Sequence, residues 1–163
     1  MLTYLVRTLP LFARAFAGRD GSLVSRVERR VRLHELDLNL HMNQAVYAQV
    51  MELGRADWIV RSFALRRWRA QKVKPVVASQ RIVYRRELGL GTRYTLDTRA
   101  LGMTGRLLRM QTNIVVGTQV HARNDTEVIF IGPQGVLDAQ AAEALCEGLL
   151  AEPLAVDDWK VTR

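Results

Sequence analysis

The chain has 163 residues, 48% hydrophobic and 25% charged, which suits one buried core of ordinary domain size and excludes a disordered chain. A single cysteine, Cys146, rules out an internal disulfide; no Cys/His cluster has zinc-site spacing, and no run approaches the ~20 apolar residues of a membrane span. The net charge of +8 is uneven: residues 1–110 carry 21 basic and 8 acidic side chains, residues 111–163 carry 3 and 8, and arginine outnumbers lysine 21 to 3. Such a surplus suits nucleic acid, anionic lipid or a phosphorylated small molecule such as a nucleotide-bearing thioester, and equally a solvated surface. The expectation is a soluble, intracellular protein that needs no metal.

Residues 2–17 are apolar, with Arg7 and Arg14 on one helical face and Pro10 in mid-segment, where it kinks or restarts a helix. Interrupting arginines and the lack of a small-residue cleavage site make this a poor secretory signal. Two readings stay open for residues 1–18: a helix packed on the domain, or an amphipathic segment on an anionic membrane surface. Gly18–Ser22 reads as a turn or linker. Residues 23–34 alternate and predict a strand with one wet face. Glu35–Asn43 has no period and predicts a loop. Apolar positions from Gln44 to about Ala64 predict the longest helix, capped by Asn43, and the basic stretch Leu65–Lys74 reads as a short helix followed by a connection. Beyond Pro75 the texture is β, with strands over 76–86, 92–101, 107–116 and 119–131. Gly102, Gly105, Gly117 and the pair Asn124-Asp125 serve as turn signals. Strands joined by short turns should pair antiparallel. Asp138 caps a final helix to about Ala151. One long helix against an antiparallel sheet is an α+β arrangement in three parts: an apolar, basic helical segment over 1–22, a central domain over 23–135, and a helix with an acidic tail over 136–163.

Chemistry concentrates in Glu35-Leu36-Asp37-Leu38-Asn39-Leu40-His41-Met42-Asn43, between a strand and the longest helix. An acid and unpaired N–H groups meet at a helix N-terminus, where the dipole favours anions and the N–H groups can polarise a carbonyl. Asp37 and His41 can each handle a proton. Plainer roles stand beside these: Asp37 as a turn former, Asn39 in an Asx-turn, His41 bonding loop carbonyls, Asn43 as helix cap, and Glu52 with Arg55 as an (i, i+3) ion pair. Tyr47 and Met51, at helical spacing, fit the core or the lining of a cavity. Arg81, Arg85 and Arg86, with Arg106 and Arg109, suit phosphate groups or an acidic partner surface, or form a solvated strand face. His121 and Cys146 have no partners in sequence and read as structural.

The loop resembles the hotdog-fold thioesterases (the 4-hydroxybenzoyl-CoA thioesterase-like superfamily) on Asp37, Asn39, His41, Asn43, Gln44, Tyr47, Glu52 and Arg55. It looks most like the acyl-CoA thioesterase branch that includes the THEM6-like proteins. The resemblance spans roughly residues 25–135, taking in Pro75–Ser79, Ile82-x-Tyr84-Arg85-Arg86 and Gly132-Pro133-x-Gly135. It implies a hotdog fold, an antiparallel sheet wrapped around a central helix, and hydrolysis of acyl-CoA or acyl carrier protein thioesters. Asp37 then matches the catalytic carboxylate, nucleophile or base for water, with Glu52 as a weaker second candidate. Asn39 and His41 match residues that position water or substrate, and the N–H groups near Asn43 and Gln44 would polarise the carbonyl. Gln44 departs from the second Asn common in relatives, a small change if its backbone N–H does the work. No cofactor is implied beyond coenzyme A within the substrate. The implied assembly is a homodimer, or a dimer of dimers, with sheets continuing across the two-fold axis and the site at the interface. The implied setting is the cytoplasm, or the inner membrane face if residues 1–18 bind there. The alternative is a domain that binds acyl thioesters without cleaving them. Nucleic acid is disfavoured, because the aromatic residues, 7% of the chain, do not interleave with the basic clusters as stacking platforms would.

Overall fold

The computed structural model describes residues 20–155. The N-terminal segment, with its expected helix and membrane contact, and residues 156–163 of the acidic tail lie outside the described residues. The elements run β1 (Val24–Arg30), a single 3-10 turn (Leu33–Glu35), α1 (Gln44–Arg61), α2 (Ala64–Ala70), β2 (Lys74–Tyr84), β3 (Arg93–Thr104), β4 (Leu107–Val116), β5 (Gln119–Gly132), β6 (Gly135–Val136) and α3 (Ala139–Cys146). Every strand pair is antiparallel, in the order β1-β3-β4-β5-β2, with the two-residue β6 on the end of β5.

Period-two alternation aims one face of each strand at α1. On β5, Val120, Ala122, Val128 and Phe130 point inward with Asn124 and Thr126, while His121, Arg123, Asp125 and Glu127 take the outer face. That outer face is polar throughout its middle: Asp97 holds Arg26 at 3.2 Å and Arg99 at 2.7 Å, and Asn113 accepts from Arg123 at 2.9 Å. The inner face buries two apolar clusters. One gathers Trp58, Trp68, Leu108, Met110, Val128 and Phe130. The other gathers Tyr47, Val50, Met51, Leu88, Tyr94, Leu96 and Ile114. Between them a row of buried polar side chains, Thr98, Thr112, Asn124 and Thr126, crosses the sheet where α1 comes closest. A Cβ on Gly54 would lie 2.5 Å from Thr98 Oγ1, so only glycine permits this approach.

Local chemistry sets the helix ends. Asn43 Oδ1 accepts from Ala45 N at 2.8 Å and Asp138 Oδ1 from Ala141 N at 2.8 Å, satisfying N–H groups that the helices leave unpaired. The helix expected to run to about Ala64 stops at Arg61: Ser62 Oγ bonds back to Trp58 O at 2.7 Å, and Phe63 turns left-handed (φ 62°) to start α2. α3 likewise ends at Cys146, short of Ala151.

Two further expectations are corrected. Asn124-Asp125 makes no turn; both lie mid-strand in β5, paired with β2 and β4, and Asn124 is wholly buried. The antiparallel pairing of neighbours holds for β3-β4-β5, but β2 leaves β3 and pairs with β5 at the far edge. The two helices carry the chain from the β1 edge to that edge. α1 packs on β1, β3 and β4, which leaves a trench between α1 and β2.

Candidate active site

The loop before α1 is ordered by its own polar groups. Asp37 N donates to His41 O at 2.8 Å and Leu40 N to Asp37 O at 3.1 Å, while Asp37 Oδ1 accepts from Asn39 N at 2.9 Å and His41 N at 3.3 Å. This tight turn forces Leu40 to φ 61°, a left-handed conformation costly for leucine. A Leu36–Met42 bridge closes the turn, and a His41–Gly89 bridge ties it to the segment after β2. The half-buried Asp37 carboxylate is thus held through one oxygen, and Oδ2 takes no hydrogen bond from the described residues. Asn39 is exposed beside it.

His41 Nε2 lies 3.2 Å from Glu87 Oε2, so the ring is oriented by an acid that carries no motif. Asn43 N donates to Glu35 O at 2.8 Å, and Asn43 O accepts from Val46 N at 2.9 Å. Gln44 N–H, the first of α1, has no acceptor among the described residues, and Gln44 lines an open groove of about 560 Å³. Asn43, Gln44, Ala45 and Ala48 form one wall of that groove, and Gln80, Ile82 and Tyr84 of β2 the other.

The remaining candidates separate. Tyr47 is buried, with its ring edge-on to Tyr84 at 5.0 Å; burial first, and Tyr84 next, push its hydroxyl up to about 12. Met51 is fully buried and serves as core. Arg81 sits on the outer face of β2 opposite Asp125, turned away from the groove behind Gln80 and Ile82. Arg85 and Arg86 follow Tyr84, anchored by their N–H groups on His121 O at 2.9 and 3.1 Å, and the Arg86 head reaches Val120 O. The five arginines therefore do not form one cluster: Arg81 and Arg109 are on the outer face, Arg85 and Arg86 at the groove end of β2, and Arg106 in the β3–β4 turn. Glu52 is exposed and lines a second, smaller pocket farther along the trench with Arg55, Ala56 and Ile59. Cys146 is buried in the apolar cluster, which pushes its thiol up to about 12.

Reading the sequence missed Glu87, Gln80 and the wall made by Ile82 and Tyr84. Only the nonlocal β2–β5 pairing brings Gln80, Ile82 and Tyr84 opposite α1, and no local pattern encodes it; Glu87, just past β2, meets His41 of the loop instead. Ile82 and Tyr84 alternate, the one signal that could have marked a common face.

A sequence model of the Thioesterase-like superfamily matches residues 31–148. The protein THEM6 of Danio rerio is 37% identical over 81 residues; the match covers 50% of this chain and 40% of that relative's length. The crystal structure of the probable thioesterase YbaW from Escherichia coli superposes with a TM-score of 0.71 at 23% identity, covering 78% of this chain and 99% of that one. SAV2348 from Staphylococcus aureus, solved in complex with CoA, superposes with a TM-score of 0.67 at 13% identity, covering 86% and 95%. These structural likenesses establish the expected fold, a sheet curled around a central helix. The chain belongs to the Thioesterase-like superfamily and has its hotdog fold.

Proposed function

We propose that the protein hydrolyses acyl-CoA or acyl carrier protein thioesters, with Asp37 as the carboxylate that activates water or attacks the acyl carbon. The observation that carries this reading is the pairing, in one loop, of a positioned carboxylate with a free helix N–H. Asp37 is held by Asn39 N–H and His41 N–H through Oδ1, and seven residues on Gln44, whose N–H has no acceptor among the described residues, lines a groove. In the water route Asp37 takes the proton as oxygen bonds to the acyl carbon. Negative charge gathers on the carbonyl oxygen, where Gln44 N–H and the α1 dipole stabilise it. Collapse breaks the C–S bond; a thiolate leaves with little need of a proton, so one carboxylate and one oxyanion site suffice. His41, oriented by Glu87, and Asn39 order the water or the thioester beside Asp37. Arg85 and Arg86 at the groove end of β2 meet coenzyme A phosphates.

The working form is a dimer. β2 is eleven residues long, and no strand of the described residues covers its outer edge, where Val76 and Val77 are 40% and 45% exposed. A long, apolar, unpaired edge is normally covered, and a second β2 covers it by extending the sheet. The test of function is release of free thiol from a panel of acyl-CoA thioesters by the wild-type protein and Asp37→Asn. The variant keeps Oδ1 for both loop N–H groups but loses the base. Turnover lost in a folded variant supports hydrolysis through Asp37; binding without turnover by the wild type would instead make this a carrier or sensor.

A further inference from the structure

Glu35 carries a carboxyl group yet is only 1% exposed, and the proposed chemistry leaves it unused. Burying a carboxylate is costly, and a well-packed apolar side chain commonly serves stability as well or better. Both of its oxygens are engaged. Oε2 accepts from Arg32 N at 2.9 Å, and Oε1 faces Arg29 Nη2 at 3.5 Å. Arg29 stands on β1, opposite Tyr94 of β3, and its Nε donates to the Tyr94 hydroxyl at 3.2 Å. Glu35 N returns a bond to Arg32 O at 3.0 Å, so side chain and backbone together grip Arg32 from both sides. The carboxylate therefore joins the segment after β1 to the sheet itself. The backbone carbonyl of the same residue accepts from Asn43 N at 2.8 Å. Asn43 precedes Gln44, whose N–H is the proposed oxyanion donor, and Asp37 lies two residues after Glu35. The bond between Glu35 and Asn43 thus brackets the whole loop, with the Leu36–Met42 bridge just inside it. Capping α1 needs none of this, because the Asn43 side chain already does so.

We propose that Glu35 is a positioning residue: its buried carboxylate ties the loop to β1 and thereby sets Asp37 in register with the Gln44 N–H. The inference rests on the proposed thioester hydrolysis and adds to it a residue that touches no substrate. A loop released from this tie keeps its own bonds, Asp37 Oδ1 to the Asn39 and His41 N–H groups, and α1 keeps its cap. What changes is the placement of one relative to the other. A misplacement of about 1 Å in a reacting group costs up to roughly 10²-fold in rate. Contacts to the rest of the thioester lie elsewhere, so the loss falls on kcat and on recognition of the carbonyl, with the remaining affinity kept.

The experiment uses the wild type, Glu35→Gln, and the triple variant Arg29→Met/Glu35→Leu/Tyr94→Phe. Glu35→Gln leaves one oxygen where two donors each had one. The triple variant replaces the buried polar set by apolar groups, a change that buried ion pairs commonly tolerate, and the exposed Arg32 turns its N–H to water. The readouts are melting temperature, thiol release from a panel of acyl-CoAs, and calorimetric affinity for two non-hydrolysable analogues of one acyl-CoA. The ketone analogue keeps the carbonyl and has CH₂ for sulfur; the thioether keeps sulfur and has CH₂ for the carbonyl. The wild type is expected to bind the ketone about tenfold tighter than the thioether. Both variants should lose that preference and about 10²-fold in kcat, with thioether affinity within about threefold of wild type. The triple variant should do so at the wild-type melting temperature. Activity that returns with the melting temperature in the triple variant, or a ketone preference kept by both variants, makes Glu35 structural only and overturns the proposal. A triple variant that does not fold, or a wild type without the preference, overturns it as well. Thiol release that neither substitution changes sinks the role of Glu35 and leaves the hydrolase standing. A ketone preference lost in both variants, without hydrolysis of any acyl-CoA by the wild type, does the reverse.

Discussion

Lys72 sits at φ 56°, just past α2, where its N–H bonds Arg69 O at 3.0 Å and Val73 N–H bonds Trp68 O at 2.9 Å. That paired closure favours glycine, because only glycine takes the left-handed turn without a Cβ penalty. The Lys72 side chain is exposed, so Lys72→Gly should raise stability by about 1 kcal/mol, read as a higher urea midpoint at unchanged m-value. Cys146 shows the opposite restraint. Burial holds its thiol protonated far above neutral pH, so native protein at pH 8 should resist a thiol reagent that modifies the urea-unfolded chain at once. At this scale the sequence was legible wherever chemistry is local. Asn43 and Asp138 cap the helices as their positions predict, since a cap needs only the next three residues. Asn124 was misread for the same reason. An Asn-Asp pair favours turns by local bonding, and only the flanking strands, which enclose it in the sheet, overrule that preference. A buried polar side chain that breaks local expectation is where a functional constraint is most readily found.

α1 shows how one residue fixes the spacing of two elements. Gly54 brings the helix onto Thr98 and Thr112, whose hydroxyls are 3.1 Å apart. Alanine there gains up to ~1 kcal/mol of helix propensity but drives a methyl to 2.5 Å from Thr98 Oγ1. Gly54→Ala should cost about 2 kcal/mol net, and Thr98→Ala in the same chain should recover part of it, since the atom in the way is then gone. Thermal denaturation of the single and double variants measures both. The helix, its cap and β4 were legible because each carries its own period and ends. The break at Ser62-Phe63 was not, since apolar spacing continues through it into α2 while Phe63 adopts a backbone conformation its type disfavours. Strand order was beyond local reading for another reason: the β2–β5 pairing closes a loop through β3 and β4, and no single segment records it.

For the whole molecule, the surfaces differ: a polar outer sheet face, a trench between α1 and β2, and, among the described residues, a long edge at β2 that no strand covers. If that edge joins two chains, sedimentation should give twice the 18.5 kDa chain mass, and Val76→Lys, which sets a charge on the edge, should give the single chain. The fold follows from pattern, but function turns on whether one carboxylate, held by Asn39 and His41 N–H groups, acts on a thioester. The most direct measurement is steady-state thiol release from acyl-CoA by the wild type and Asp37→Asn at matched melting temperature. A fall in kcat of about 10²–10⁴-fold with the fold retained is the predicted result; equal turnover by the two proteins would contradict the account.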